Sequence, residues 1–342
     1  MKYEYKTKGQ LIWIGAAFVI VALAVGGYFW FSLEQPRKYT RAVEKLTLAA
    51  YKGDTGALVY IAQEQGYFTE NGLDVTIKDY EAGKLAADAL LANEADISTS
   101  ADFVLVSNSF EHDNLRVLGT VALADINELV ARRDRGIATP GDLKGKKIGV
   151  TRKSIGEFFL GTFLIFEGLS LADVEVVDLK PSEIVEAISA GEIDAALTWE
   201  PNIFKIKSLL GANVISWPGQ SGQDFFFILL SKEEWLKEHP SAVERFLRAL
   251  VQAEEFVKKN NEKAKHFVAE RFDYESKYVE SIWSKHRFLV VLPQALLLAM
   301  EDQARWKIKN KLTDATEVPN YLDFIYLDGM KEVKPEAITI MH

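Results

Sequence analysis

Hydrophobic and polar positions divide the chain near residue 32. Residues 11–32 run without a single Asp, Glu, Lys or Arg. As a helix rising about 1.5 Å per residue, such a run is as long as a bilayer's hydrocarbon core is thick, about 30 Å. Beyond residue 45 the apolar positions switch between two shorter rhythms. The spacing predicts a strand over 46–51, a helix over 57–65 with Leu58, Ile61 and Ala62 on one face, and a turn at Asn71-Gly72. Leu73, Val75 and Ile77 alternate with polar residues, as a strand does. A helix over 83–93, a short strand over 96–99, a helix over 101–110 and extended segments over 117–122 and 128–131 follow.

The rhythm then repeats. Strands are expected over 147–151, 174–179, 194–199, 214–217 and 225–230, and helices over 154–167, 181–190 and 202–210. Gly168, Gly191 and Gly211 stand where helices stop, and Pro181 where one starts. From 232 onward the chain reads as nearly all helix, with amphipathic segments over 242–257 and 295–309. Alternating strands and helices at this spacing predict parallel sheets covered by helices, in two blocks at 46–125 and 140–217. The strand over 225–230 is expected to return to the first block, which makes the crossovers near 125–130 and 217–225 hinges.

The first 45 residues give the chain an address. Lys2, Lys6 and Lys8 precede the apolar run, and Arg37, Lys38, Arg41 and Lys45 follow it, too even a split to set orientation. A secretory cleavage site could fall only at Ala22-Leu23-Ala24, and cutting there would leave Tyr28, Phe29, Trp30 and Phe31 in a greasy new terminus. The run therefore reads as an uncleaved transmembrane anchor. This gives a tail over 1–10, an anchor over 11–32, a tether over 33–44, one lobe from 46–125 with 225–342, and a second lobe from 126–224.

Composition mainly excludes. The net charge is −9 and no basic block lies beyond the anchor flanks, which argues against nucleic acid as a partner. There is no Cys, so disulfides, thiol catalysis and Cys-ligated metals are absent. The five His show no i, i+4 pair and no HExxH, and neither GxSxG, GxxxxGK[ST] nor GxGxxG occurs. Neither a cofactor nor a catalytic apparatus is advertised.

In open parallel sheets ligands bind beyond the carboxyl ends of the strands. The loops that should converge there supply Thr55, Ser100, Asn127, Thr151, Ser154, Trp199, Glu200 and Asp224. Four of these loops run into predicted helices, whose first N–H groups and partial positive charge suit an anion. Singly, each Ser, Thr or Asp is an ordinary helix cap, and Trp199 is as well suited to a core as to a cleft wall. Lys52, Arg152 and Lys153 favour an oxyanion, whereas Asp102, Asp125, Glu200 and Asp224 favour a cation or a zwitterion.

Several short segments carry a resemblance: Tyr60-Ile61-Ala62 with Gln65-Gly66-Tyr67-Phe68, Asn71-Gly72-Leu73-Asp74-Val75, Asp142-Leu143-Lys144-Gly145-Lys146-Lys147-Ile148-Gly149-Val150, Gly191-Glu192-Ile193-Asp194-Ala195, Trp199-Glu200-Pro201 and Val333-Lys334-Pro335-Glu336. In this order and spacing, residues 46–342 resemble solute-binding proteins of ABC importers, in the branch for nitrate, alkanesulfonates, taurine and thiamine-pyrimidine precursors. The resemblance implies an α/β, two-lobed type II periplasmic-binding-protein fold with a hinge. It also implies a cleft lined by Thr55, Ser100, Asn127, Thr151, Ser154, Trp199 and Glu200, and a small polar ligand passed to an ABC permease and ATPase by a monomeric binding protein outside the cytoplasm. The chain departs from it in keeping a transmembrane helix and in lacking the Cys-rich motif of the eukaryotic pyrimidine synthases, which argues against that enzyme role. A ligand-sensing ectodomain and an enzyme using Asp125, Glu200 or Asp224 as acid or base are the alternatives.

Overall fold

The computed structural model describes residues 43–341 except Ser221. The membrane helix expected over 11–32 lies outside these residues, as does all of the tether but its end. Among the described residues no helix is long and apolar enough to cross a membrane.

Eleven strands form two sheets. They are β1 (Glu44–Tyr51), β2 (Leu73–Tyr80), β3 (Ile97–Ala101), β4 (Leu115–Ala124), β5 (Asn127–Arg132), β6 (Lys147–Val150), β7 (Glu175–Asp178), β8 (Ala195–Trp199), β9 (Val214–Pro218), β10 (Phe225–Lys232) and β11 (His286–Val291). The first sheet runs β11-β4-β10-β3-β1-β2 and the second β7-β6-β8-β5-β9. We call each sheet with its helices a lobe. The chain leaves the first sheet after β4 and re-enters it at β10.

The expected parallel arrangement holds for part of each sheet. β1 pairs in parallel with β2 and β3, and β6 with β7 and β8. Both sheets are nevertheless mixed. β10 runs antiparallel to β3 and β4, and β5 runs antiparallel to β8 and β9. These are the strands by which the chain enters a sheet from the other lobe, so no βαβ crossover fixes their direction. A second correction is β11, a strand within the stretch expected to be helical, paired antiparallel with β4. Phe288, Leu289, Val290 and Val291 are a short apolar run that periodicity alone does not assign.

The expected helices form at Ala57–Glu64, Gly83–Leu91, Asp102–Asn108, Ile155–Phe166, Pro181–Ala190, Asn202–Leu210, Pro240–Lys259 and Gln294–Lys309. In Pro240–Lys259, Val243, Phe246, Leu247, Leu250 and Val257 are buried, with Phe246 stacked on Phe68 at 5.2 Å. The second lobe has a small core of its own around Val130, Ile184, Ile188 and Ile203. On one side an aromatic seam joins the lobes. Phe103 stacks on Phe158 at 5.7 Å, and Trp306 meets Phe158 edge-on at 5.4 Å.

Candidate functional site

The carboxyl ends of β1, β3 and β8 lead to one cavity between the two sheets. Tyr51, Ala101 and Trp199 are the last residues of these strands, and all three line it. The inner cavity is narrow, about 40 Å³. An outer vestibule of about 400 Å³ shares Tyr51 and Trp199 with it, so these rings stand between the two spaces.

Helix starts make up much of the inner wall. Gly83 and Lys84 open Gly83–Leu91, whose start has no side-chain cap. Ser154 and Ile155 open Ile155–Phe166, and Thr55 lies in the single turn that leads into Ala57–Glu64. First-turn N–H groups have no partner within their own helix, and the macrodipole adds partial positive charge there. Gly83 permits the approach of its helix to β3, because a Cβ on it would stand 2.7 Å from Ser100 Cα. The cationic side chain on the wall, Lys84, is paired with Asp88 at 2.5 Å. Negative charge on a ligand would therefore be met chiefly by backbone dipoles.

The polar side chains are strongly constrained. Ser154 Oγ donates to Thr151 C=O at 2.6 Å and accepts from Gly156 N–H at 3.2 Å. Tyr51 O–H donates to Glu200 C=O at 3.3 Å, and its ring lies edge-on to Phe227. Asn127, 1 % exposed, donates through Nδ2 to Gln220 Oε1 at 2.7 Å, while its Oδ1 has no partner.

Beneath Thr55 lies a buried acid. Asp54 Oδ1 accepts from Thr55 N–H at 2.9 Å, and Oδ2 lies 3.5 Å from His286 Nε2. Burial pushes the Asp54 carboxyl up, and His286 partly offsets that. The His286 Nδ1 atom is 3.0 Å from Ile282 C=O, which can only accept, so the ring's other nitrogen faces Asp54. Burial likewise raises Glu200 to about 7 and Asp102 to about 7. Among the described residues no group of three His, Asp or Glu could hold a metal ion.

The profile of the family described as NMT1/THI5 like matches residues 55–264. The chain belongs to the NMT1/THI5-like family. A Brucella abortus relative whose name describes a binding protein is 30% identical over 223 residues, covering 64% of this chain and 67% of that one. The taurine-binding periplasmic protein of Escherichia coli is 25% identical over 201 residues, 57% of this chain and 61% of that one. Among solved structures, the alkanesulfonate-binding protein SsuA of Xanthomonas axonopodis pv. citri, bound to MOPS, matches with a TM-score of 0.72 at 18% identity, over 84% of this chain and 99% of that one. The fold is thus the α/β periplasmic-binding-protein fold with two sheets. The desulfurization enzyme DSZB shares it, with a TM-score of 0.60 at 15% identity over 86% of this chain and 99% of that one.

In this NMT1/THI5-like chain the eight candidate residues have different surroundings. Thr55, Asn127, Ser154 and Trp199 line the inner cavity. Ser100, Thr151, Glu200 and Asp224 are not on its wall. Ser100 lies within β3 under Gly83, and its neighbour Ala101 reaches the cavity instead. Thr151 turns its hydroxyl to Leu179 C=O at 2.8 Å. Glu200 Oε2 accepts from Phe204 N–H at 3.1 Å and so caps Asn202–Leu210. Asp224 is ion-paired with Arg287 on a groove outside the cleft. Tyr51, Gly83, Phe225 and Phe227 are wall residues that sequence reasoning missed. The rule that ligands sit beyond strand carboxyl ends could have found Tyr51; the two Phe read as ordinary core of β10.

Proposed function

We propose that this chain is an extracytoplasmic solute-binding protein. It captures a small organic oxyanion of the sulfonate and taurine type between its lobes and delivers it to an ABC permease and ATPase. One observation carries the reading: three helix starts, at Thr55, Gly83 and Ser154, converge on a single inter-lobe cavity whose cationic wall side chain is already paired. The uncapped first turn of Gly83–Leu91 and the helix start after Ser154 suit a sulfonate head, and Tyr51 and Trp199 wall its carbon chain. The sulfonate- and taurine-binding names of the relatives support the same class. Residues 11–32 would hold the protein at the membrane surface as a monomer, with the crossovers at 125–126 and 219–224 as hinges.

Isothermal titration of the full-length chain against taurine, ethanesulfonate, nitrate and an aminopyrimidine tests this. Micromolar or tighter binding of a sulfonate is expected, weakened at least tenfold by Trp199→Ala. Failure of both sulfonates to bind overturns the sulfonate reading.

An enzyme is the second reading, favoured by the buried Asp54–His286 pair, whose imidazole is oriented by a backbone carbonyl as in acid–base sites. Loss of a bound sulfonate over hours with the wild-type chain, but not with His286→Phe, would establish it.

A further inference from the structure

Gln220 is 2 % exposed and makes five hydrogen bonds at the two crossovers between the lobes. Its Oε1 accepts from Ile126 N–H at 2.8 Å, Asn127 N–H at 2.9 Å and Asn127 Nδ2 at 2.7 Å. Its Nε2 donates to Ala124 C=O at 2.9 Å and Gln223 C=O at 2.7 Å. The four backbone partners fix which end of this amide is oxygen: two N–H groups face one end and two carbonyls the other. Rotating the Gln220 amide by half a turn would set donor against donor and acceptor against acceptor on both sides.

That orientation dictates the next one. The Asn127 atom facing Gln220 Oε1 must be a donor, hence Nδ2. The atom left over is Oδ1, buried on a residue of the cavity wall and without a partner. A buried acceptor left unmatched is costly, so a ligand that supplies a donor there gains affinity that one without it does not. Neighbouring hydroxyls point the same way. Ser154 and Tyr51 spend their protons on Thr151 C=O and Glu200 C=O and offer only lone pairs.

We propose that Gln220, by holding the Asn127 amide so that its oxygen stays unpartnered on this wall residue, makes this site selective for oxyanions that also carry an N–H or O–H donor, such as an aminosulfonate, over unsubstituted alkanesulfonates and nitrate. The proposal rests on the sulfonate reading above. Gln220 acts as a positioning residue, since it reaches the ligand only through Asn127.

The test is the affinity ratio of taurine to ethanesulfonate, measured by titration calorimetry on the full-length chain. The wild type is expected to prefer taurine by at least about tenfold, the value of one charge-assisted hydrogen bond. Asn127→Ala should bring the ratio near one. Gln220→Ala, which frees the Asn127 amide, should also lower the ratio. Gln220→Glu keeps the accepting oxygen and should retain the ratio even as its melting temperature falls. A purely structural Gln220 would weaken both ligands together, or make the ratio follow melting temperature; either result overturns its positioning role. Equal wild-type affinities, or a ratio that survives Asn127→Ala, overturn the donor selectivity while leaving the sulfonate reading standing. Binding of neither compound overturns the sulfonate reading and this inference with it. If Gln220→Ala does not fold, Asn127→Ala and Gln220→Glu decide between these outcomes.

Discussion

Gly161 of Ile155–Phe166 faces the Trp306 indole so closely that a Cβ on Gly161 would stand 2.2 Å from Cζ2 of Trp306. The two residues belong to helices of different lobes, so the absence of a side chain lets the aromatic seam close. Gly161→Ala is expected to cost about 1–3 kcal/mol through overpacking, read as a lower urea midpoint with an unchanged slope. Trp306→Phe should recover part of that loss when combined with Gly161→Ala, although alone it destabilises. Simple additivity in this double-mutant cycle would show that the two positions do not press on one another.

Glu200 gives a pH signature. Its carboxyl ionises near 4.5 ordinarily and is pushed up to about 7 by burial. Between these values the folded chain holds a proton that the unfolded chain has released. Stability therefore falls as pH rises from about 4.5 to about 7 and levels beyond. The full difference is on the order of 3 kcal/mol. Glu200→Gln keeps an oxygen for Phe204 N–H and removes the charge, so it should melt higher than wild type at pH 8 and match it at pH 4. A variant equally or less stable at pH 8 would show that the carboxylate is well solvated.

Replacing His286 isolates the acid it faces. With His286→Phe, Asp54 keeps its burial and loses the partner 3.5 Å away. The carboxyl is already raised, and it should rise further. The loss of stability should be about 3–5 kcal/mol at pH 8 and shrink as pH falls and Asp54 takes up a proton. Adding Asp54→Asn should restore much of it at pH 8. A penalty independent of pH would point to the lost hydrogen bond between Nδ1 and Ile282 C=O, since Phe keeps a ring to stack on Phe288.

Gly83 joins packing to binding. A Cβ there would collide with Ser100 Cα, a backbone atom that a rotamer change cannot move. Gly83→Ala should therefore push the start of Gly83–Leu91 away from β3 and distort the cavity wall. We expect taurine affinity to fall at least tenfold, with a modest drop in melting temperature. Unchanged affinity would remove this helix start from the proposed anion site.

The alternating rhythm made most of the fold legible, down to the ends of Pro181–Ala190, marked by Pro181 and Gly191. Direction within the sheets was less visible. A strand arriving from the other lobe carries no local mark of running antiparallel, as β5 and β10 do. β11 was hidden because its apolar run lies among helices. At the site, loops were easier to read than orientations. Thr55, Asn127, Ser154 and Trp199 lie where strand ends meet helix starts, and they reach the cavity. Ser100 and Thr151 sit beside them, but the pleat of β3 and the carbonyl of Leu179 turn them elsewhere. Gln220 stands in a loop expected near the cleft, but its role was hidden, since it depends on four backbone groups brought together from two distant stretches.

The position of β10 between β3 and β4 has a consequence for how the molecule is born. Synthesis runs from the amino end, so β3 and β4 exist for the time it takes to make about a hundred further residues before the strand that joins them emerges. The second sheet, an unbroken stretch, can close in that interval, while the first waits as two open fragments. Closing so long a loop is entropically slow, so the first sheet is expected to form after the second. A chain ending at residue 219 should be cut by protease near β3 and β4 yet resist within 140–210, whereas uniform resistance would mean that the first sheet assembles without its central strand.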